Sequence, residues 1–84
     1  MSRHVVTLYG RPGCHLCDDA RAALVPLAGE LGFTVEEVDI ESDDELFKRY
    51  LERIPVGLLD GDHLFDFFID VPELRRRLTT VGER

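Results

Sequence analysis

The run Tyr9-Gly10-Arg11-Pro12-Gly13-Cys14-His15-Leu16-Cys17 limits most tightly what this chain can fold into. An apolar stretch, Val5-Val6-Thr7-Leu8-Tyr9, leads into it and reads as a short strand over 5–9, covered on both faces. Gly10, Pro12 and Gly13 then break the chain direction. A helical pattern starts at once, with apolar residues at Leu16, Ala20, Ala23, Leu24, Leu27 and Leu31. Cys14 therefore falls at or beside a helix N-terminus, and Cys17 about one turn later.

That placement has chemical consequences. A helix N-terminus offers unpaired N–H groups and the positive end of the helix dipole, so it favours an anion. A thiolate there is stabilised, and the thiolate is the reactive form of cysteine. The Cys14 pKa is expected to fall below the ordinary value of about 8.5. Arg11 and a protonated His15 push the same way; Asp18 and Asp19 oppose it. His15 reads equally as a tuning group or as a solvated one. A disulfide closing so short a loop is a poor staple, because it restricts the unfolded chain little. Cys-x-x-Cys between a strand and a helix thus reads as redox chemistry before structure.

The first helix should run from about Cys14 to Leu31, kinked at Pro26 and closed by Gly32. Residues 33–40 read as a second strand whose apolar phase changes between Phe33/Val35 and Val38/Ile40, which a bulge would reconcile. Ser42-Asp43-Asp44-Glu45 has the form of a capping box with Ser42 as the cap. The helix it opens carries Leu46, Phe47, Tyr50 and Leu51 on one face and ends near Arg53, ahead of Pro55. Val56–Asp60 and His63–Ile69 form a hairpin turning at Asp60-Gly61-Asp62. Asp70 caps a last helix with Pro72 in its first turn and Val71, Leu74 and Leu78 as its buried stripe. Thr79 to Arg84 is expected to fray. Phe65, Phe67, Phe68 and Ile69 read mostly as core. Strand alternation cannot bury adjacent Phe67 and Phe68 on one face, so one of them is expected to cover the site or a partner surface.

The order is β-α-β-α-β-β-α. A right-handed crossover makes the first two strands parallel. The expected α/β fold is one domain over 1–84, a four-stranded mixed sheet with helices on both faces. A formal net charge of −7 argues against nucleic acid, since phosphate binding needs a basic surface. The acid gathers at Glu36, Glu37, Asp39, Glu41, Asp43, Asp44 and Glu45. It reads as a solvated connection and helix start, with a docking surface for a basic partner as the sharper alternative. Arg75-Arg76-Arg77, His4 and His63 read as solvated surface. No run approaches the ~18 apolar residues a membrane span needs, and nothing resembles a secretory leader. The expected compartment is the cytosol, where a cysteine pair is more often catalytic or metal-binding than structural.

This element order, with Cys14-His15-Leu16-Cys17 after the first strand and the tripeptide Ile54-Pro55-Val56 before the hairpin, resembles the thioredoxin fold in its glutaredoxin form. The wording is similar to small glutaredoxin-like proteins with an Arg-Pro-Gly-Cys-His-Leu-Cys site. The resemblance implies a thiol–disulfide oxidoreductase acting as a monomer. Cys14 would be the nucleophile and Cys17 the resolving thiol. Pro55 would be cis and lie against the cysteine pair, and the backbone of Ile54 would pair with substrate like an added strand. Arg11 lies where glutaredoxins often carry a basic residue that meets the glutathione carboxylate. Glutaredoxins usually have a Gly-Gly pair and an Asp before the last helix to hold glutathione; here Phe67-Phe68-Ile69-Asp70 stands there, so Asp70 is in place and the glycines are not. No tightly bound cofactor is expected. Glutathione or another low-molecular-weight thiol is a candidate reductant, as is a thioredoxin-reductase-like flavoprotein, and the substrate is a disulfide in a protein or small thiol. The rival readings are zinc or iron–sulfur binding through the cysteine pair, for which a closed zinc site would need four ligands, and a non-catalytic interaction module.

Overall fold

Strand β1 (His4–Gly10) lies inside the sheet because its residues are apolar on both sides. In the computed structural model, which describes residues 4–82 with side chains as far as Leu78, β1 pairs in parallel with β2 (Phe33–Asp39) and antiparallel with β3 (Val56–Leu59). Strand β4 (Asp62–Asp66) adds to β3 in antiparallel fashion, giving the order β2-β1-β3-β4. Helix α1 (His15–Leu31) makes the crossover, α2 (Asp44–Tyr50) precedes β3, and α3 (Val71–Gly82) closes the chain. This is the α/β mixed sheet expected from the sequence.

Alternation along β1 divides the core in two. Val6 and Leu8 join Phe33, Leu59, Ala20 and Leu24 of α1, and Leu74 and Leu78 of α3. Tyr9 faces the other way and joins Ile40, Tyr50 and Val56 under α2. Helices thus cover both faces. Leu24 and Leu74 are fully buried, each burial worth about 1.5–3 kcal/mol against exposure. The Tyr9 and Tyr50 rings stack 4.7 Å apart between β1 and α2.

Local signals placed most element ends. Gly32 closes α1 at φ 80°, its N–H donating to the Ala28 carbonyl. Helix α1 runs through Pro26 without interruption. Asp60 (φ 52°) and Gly61 (φ 90°) make the hairpin turn, both with the positive φ of a type I′ turn. Asp70 caps α3 by accepting from the Glu73 N–H at 3.1 Å.

Four expectations are corrected. No bulge interrupts β2, which pairs in register from Phe33 to Asp39. The phase change is a change of face: Val38, still in the strand, pairs opposite Tyr9, which packs against the second core, and Ile40 enters a 3-10 turn (Ile40–Ser42) facing that same core. The cap of α2 is Asp43, which accepts from the Glu45 and Leu46 N–H groups, while the Ser42 hydroxyl donates to the Asp39 carbonyl. The slip in pairing lies in the hairpin: Gly57 faces Phe65 and Leu58 faces His63, leaving Leu64 as an extra residue. That bulge explains how adjacent Leu64 and Phe65 are both buried in one core. Finally, β4 stops at Asp66 rather than Ile69, and Phe67 (42% exposed) and Phe68 (70%) are not core. The helical backbone of α3 continues past Thr79 to Gly82, and the rest of the expected frayed end lies outside the described residues.

The arginines of α3 are paired rather than merely solvated. Arg75 meets Glu30 of α1, and Arg76 and Arg77 both meet Glu73. Hydrogen bonds from Arg76 and then Arg77 pull the Glu73 carboxyl from 4.5 down to about 2. A carboxylate with a lowered native pKa stabilises the fold above its unfolded value and loses that effect as pH falls through the native one. Glu73→Gln is therefore expected to unfold at a lower temperature than wild type above pH 4.5, with the gap closing as pH approaches about 2. Thermal unfolding of both proteins across that range measures it; a pH-independent gap would contradict the pairing.

Candidate active site

Cys14 occupies the N-cap position of α1 with extended backbone (φ −85°, ψ 110°). Its N–H donates to the Arg11 carbonyl at 3.3 Å, closing a turn in which Gly13 takes φ 80°, a conformation that suits glycine. Its sulfur accepts from the Cys17 N–H at 3.1 Å. Sulfur here does what Ser or Asp oxygens usually do at a cap, satisfying one of the unpaired donors of the first turn. Cys14 and Cys17 are joined as a disulfide with Cα atoms 5.2 Å apart. The two sulfurs are not equivalent, since Cys14 is half-buried whereas Cys17 is 5% exposed. Gly10 makes room for the inner one: a Cβ there would lie 2.9 Å from the Cys17 sulfur.

The sheet brings Pro55 to the same end. Val56 pairs with Tyr9, so Pro55 and the loop after Gly10 leave adjacent strands together. The Ile54–Pro55 peptide is cis, as the resemblance implied, and Pro55 is fully buried. The Pro55 carbonyl accepts from the Phe67 N–H at 2.7 Å, which ties the segment after β4 to this loop. The Ile54 N–H donates to the Tyr50 carbonyl at 3.0 Å, so an added strand would find that donor already engaged.

The charges around the site are engaged as well. Arg11 donates through Nε and Nη2 to Glu41 Oε2 at 2.9 and 2.6 Å and lies 5.6 Å over the Phe47 ring. Arg21 bridges Glu37 and Asp18. Arg53, just before Ile54, donates to Asp66, which also meets His63 at 2.9 Å. Partial burial raises the Asp66 pKa, but the bonds from His63 and Arg53 outweigh it and hold the carboxyl below its ordinary value. His15 is exposed. Much of the acidic run thus has local work: Glu37 and Glu41 hold arginines, and Asp39 and Asp43 cap turns. Neither Glu41 nor Glu37 stood out as a site residue in the sequence, because each partner is remote along the chain and no local pattern marks the pairing.

A cleft of about 290 Å³ runs beside Cys17, Gly10, Arg11 and Pro12 to Arg21 and Val38. A second groove, of about 230 Å³, is lined by Leu16, from between the two cysteines, with Asp19, Ala20, Phe67, Phe68 and Ile69. From the sequence the pair reads mostly as core, with one of the two expected to cover the site or a partner surface; both Phe67 and Phe68 are exposed along this groove. Among the described residues no group of three or more His, Cys, Asp or Glu is placed to hold a metal ion within one chain. Among those residues too, no helix is long and apolar enough to cross a membrane.

Comparison with known proteins gives the same picture. The family model described as Glutaredoxin-like domain (DUF836) matches residues 5–79. A protein of Dictyostelium discoideum named as a glutaredoxin-like protein, YDR286C homolog, is 33% identical over 82 residues, covering 90% of this chain and 76% of its own. The solution structure of protein Ne2328 from Nitrosomonas europaea superposes with a TM-score of 0.81 at 28% identity, covering 92% of this chain and 93% of that one. A mutant thioredoxin from Halobacterium salinarum shares the fold, with a TM-score of 0.66 at 19% identity over 94% of this chain and 74% of its own.

Proposed function

This chain belongs to the glutaredoxin-like domain family, and from that premise we propose that it is a thiol–disulfide oxidoreductase working through Cys14 and Cys17. One observation carries the reading: the Cys14 sulfur caps α1 and accepts the Cys17 N–H, with Cys17 close enough to form a disulfide. In the reduced protein the same N–H and the helix dipole favour a Cys14 thiolate.

The Cys14 thiolate attacks one sulfur of a substrate disulfide, forms a mixed disulfide and releases the other sulfur as a thiolate. Cys17, once deprotonated, attacks the Cys14 sulfur, and the remaining substrate sulfur leaves as a second thiolate. The substrate disulfide gains two electrons and the Cys14–Cys17 dithiol loses them. A thiol donor, either a low-molecular-weight thiol such as glutathione or a flavoprotein reductase, restores the dithiol. The half-exposed Cys14 suits attack and the buried Cys17 suits resolution. Pro55 and Ile54 border the substrate's approach, and Arg11, held by Glu41, frames the cleft beside Cys17.

Alkylation of the reduced protein by iodoacetamide across pH tests the activation of Cys14. The expected midpoint for the first cysteine to react lies below the ordinary thiol value of about 8.5. A midpoint at or above it would remove the argument from the helix N-terminus.

A further inference from the structure

The segment after β4 has two features the dithiol reading leaves unused. Phe67 takes φ 67°, a region that non-glycine residues rarely occupy and that tends to persist where function needs it. It and Phe68 then hold their rings 42% and 70% exposed. Both rings line one groove with Leu16, the residue beside Cys17 between the two cysteines. Leu16 lies in the chain between Cys14 and Cys17, and the Phe67 N–H donates to the carbonyl of the cis-proline Pro55, so both walls of the groove are tied to the reactive loop.

The charge on the groove points to what it does not take. Its one charged lining residue is Asp19, whereas Arg11 and Arg21 line the other cleft and already hold carboxylates of this chain. With a net charge of −7, an anionic small-thiol disulfide would meet a like charge and no arginine among the residues lining this groove. Five apolar side chains, Leu16, Ala20, Phe67, Phe68 and Ile69, also fall well short of the roughly 20–30 residues a side of a stable dimer interface. They are enough for one apolar side chain of a polypeptide.

From these features we infer that Phe67, Phe68 and Leu16 form a specificity groove for an apolar residue flanking the reactive cysteine of a protein disulfide. The inference rests on the dithiol reading and names its substrate class. The groove selects by burying that side chain while the substrate sulfur reaches Cys14.

The test uses the reduced protein and two short synthetic peptides whose cysteine is capped by thionitrobenzoate. One has leucine beside the cysteine and the other serine; glutathione capped in the same way is the third substrate, so that all three share one leaving group. The Cys14 thiolate attacks the capped sulfur and thionitrobenzoate leaves as a coloured thiolate. The leucine peptide is expected to react about tenfold or more faster than the serine peptide, on the scale of burying one apolar side chain, and also faster than capped glutathione. Phe68→Ser and Phe67→Gly should each bring the leucine-to-serine ratio towards one. Phe68 is largely exposed, and glycine suits φ 67°, so both variants are expected to fold. Equal peptide rates in wild type, faster reaction of capped glutathione, or a ratio unchanged in both variants would each overturn the groove. A concentration-dependent dimer that shields Phe68 would assign the patch to a second copy and overturn it as well. No reaction with any of the three substrates would instead overturn the dithiol reading on which the inference stands.

Discussion

Cys14→Ser is expected to lower disulfide reduction by on the order of 10³-fold or more, because a serine hydroxyl is scarcely ionised at neutral pH and no other thiol takes its place. Cys17 cannot substitute for it: its sulfur is buried under the end of β1, against Gly10. Cys17→Ser should behave differently. Its Cys14 can still attack, and the backbone N–H of residue 17 can still donate to the Cys14 sulfur. The second step is lost, so a mixed disulfide with substrate should accumulate and be seen by mass. The two variants therefore separate attack from resolution. Exchange retained by Cys14→Ser would overturn the assignment of the nucleophile. Undiminished turnover by Cys17→Ser would mean that an outside thiol performs the resolving step.

Gly57→Ala should have the largest effect on stability of any glycine substitution in the sheet. Gly57 lies in β3 opposite Phe65, whose ring covers it, and an added Cβ would fall inside that ring. Phe65 is 4% exposed and cannot swing out without opening the core that holds Leu59 and Leu64. Overpacking of this kind costs about 1–3 kcal/mol, and a domain of this size loses roughly 4–8 °C of Tm for each kcal/mol. Gly29→Ala is the matched control: it is helical, and an added Cβ meets nothing within 4 Å. Alanine there is expected to stabilise by about 0.5–1 kcal/mol. Thermal unfolding of both variants gives the comparison; a Gly57→Ala protein as stable as wild type would show that the ring is free to move.

The readable and unreadable parts of this chain differ in range. Cys14 as the start of α1, Gly32 as its end, the Asp60-Gly61 turn and the Asp70 cap all followed from the residues. Each is a contact among groups a few positions apart, so the pattern that causes it is written next to it. Even there a near tie went astray: Ser42 and Asp43 are both good caps, and which one serves depended on Ile40 turning inward to meet Tyr50 and Val56. The core reading of the Phe67-Phe68 pair failed for a similar reason, although the alternation conflict already directs one of the two to the site or a partner surface. The pair's composition is that of a strand, but Asp66, held by Arg53 and His63, ends the ladder, and the Phe67 N–H turns to Pro55.

By itself, then, the amino-acid sequence determined the order of elements, the placing of a reactive sulfur at a helix opening, and the family. Only the tertiary structure decided that Arg11 is held by Glu41, that Cys17 is shielded while Cys14 is reachable, and that two phenylalanines stand in water beside them. Caps, turns and periodicity act along the chain. Partners and exposure are set by which strands become neighbours, and β1, β3 and the segment after β4 meet only once the sheet has formed.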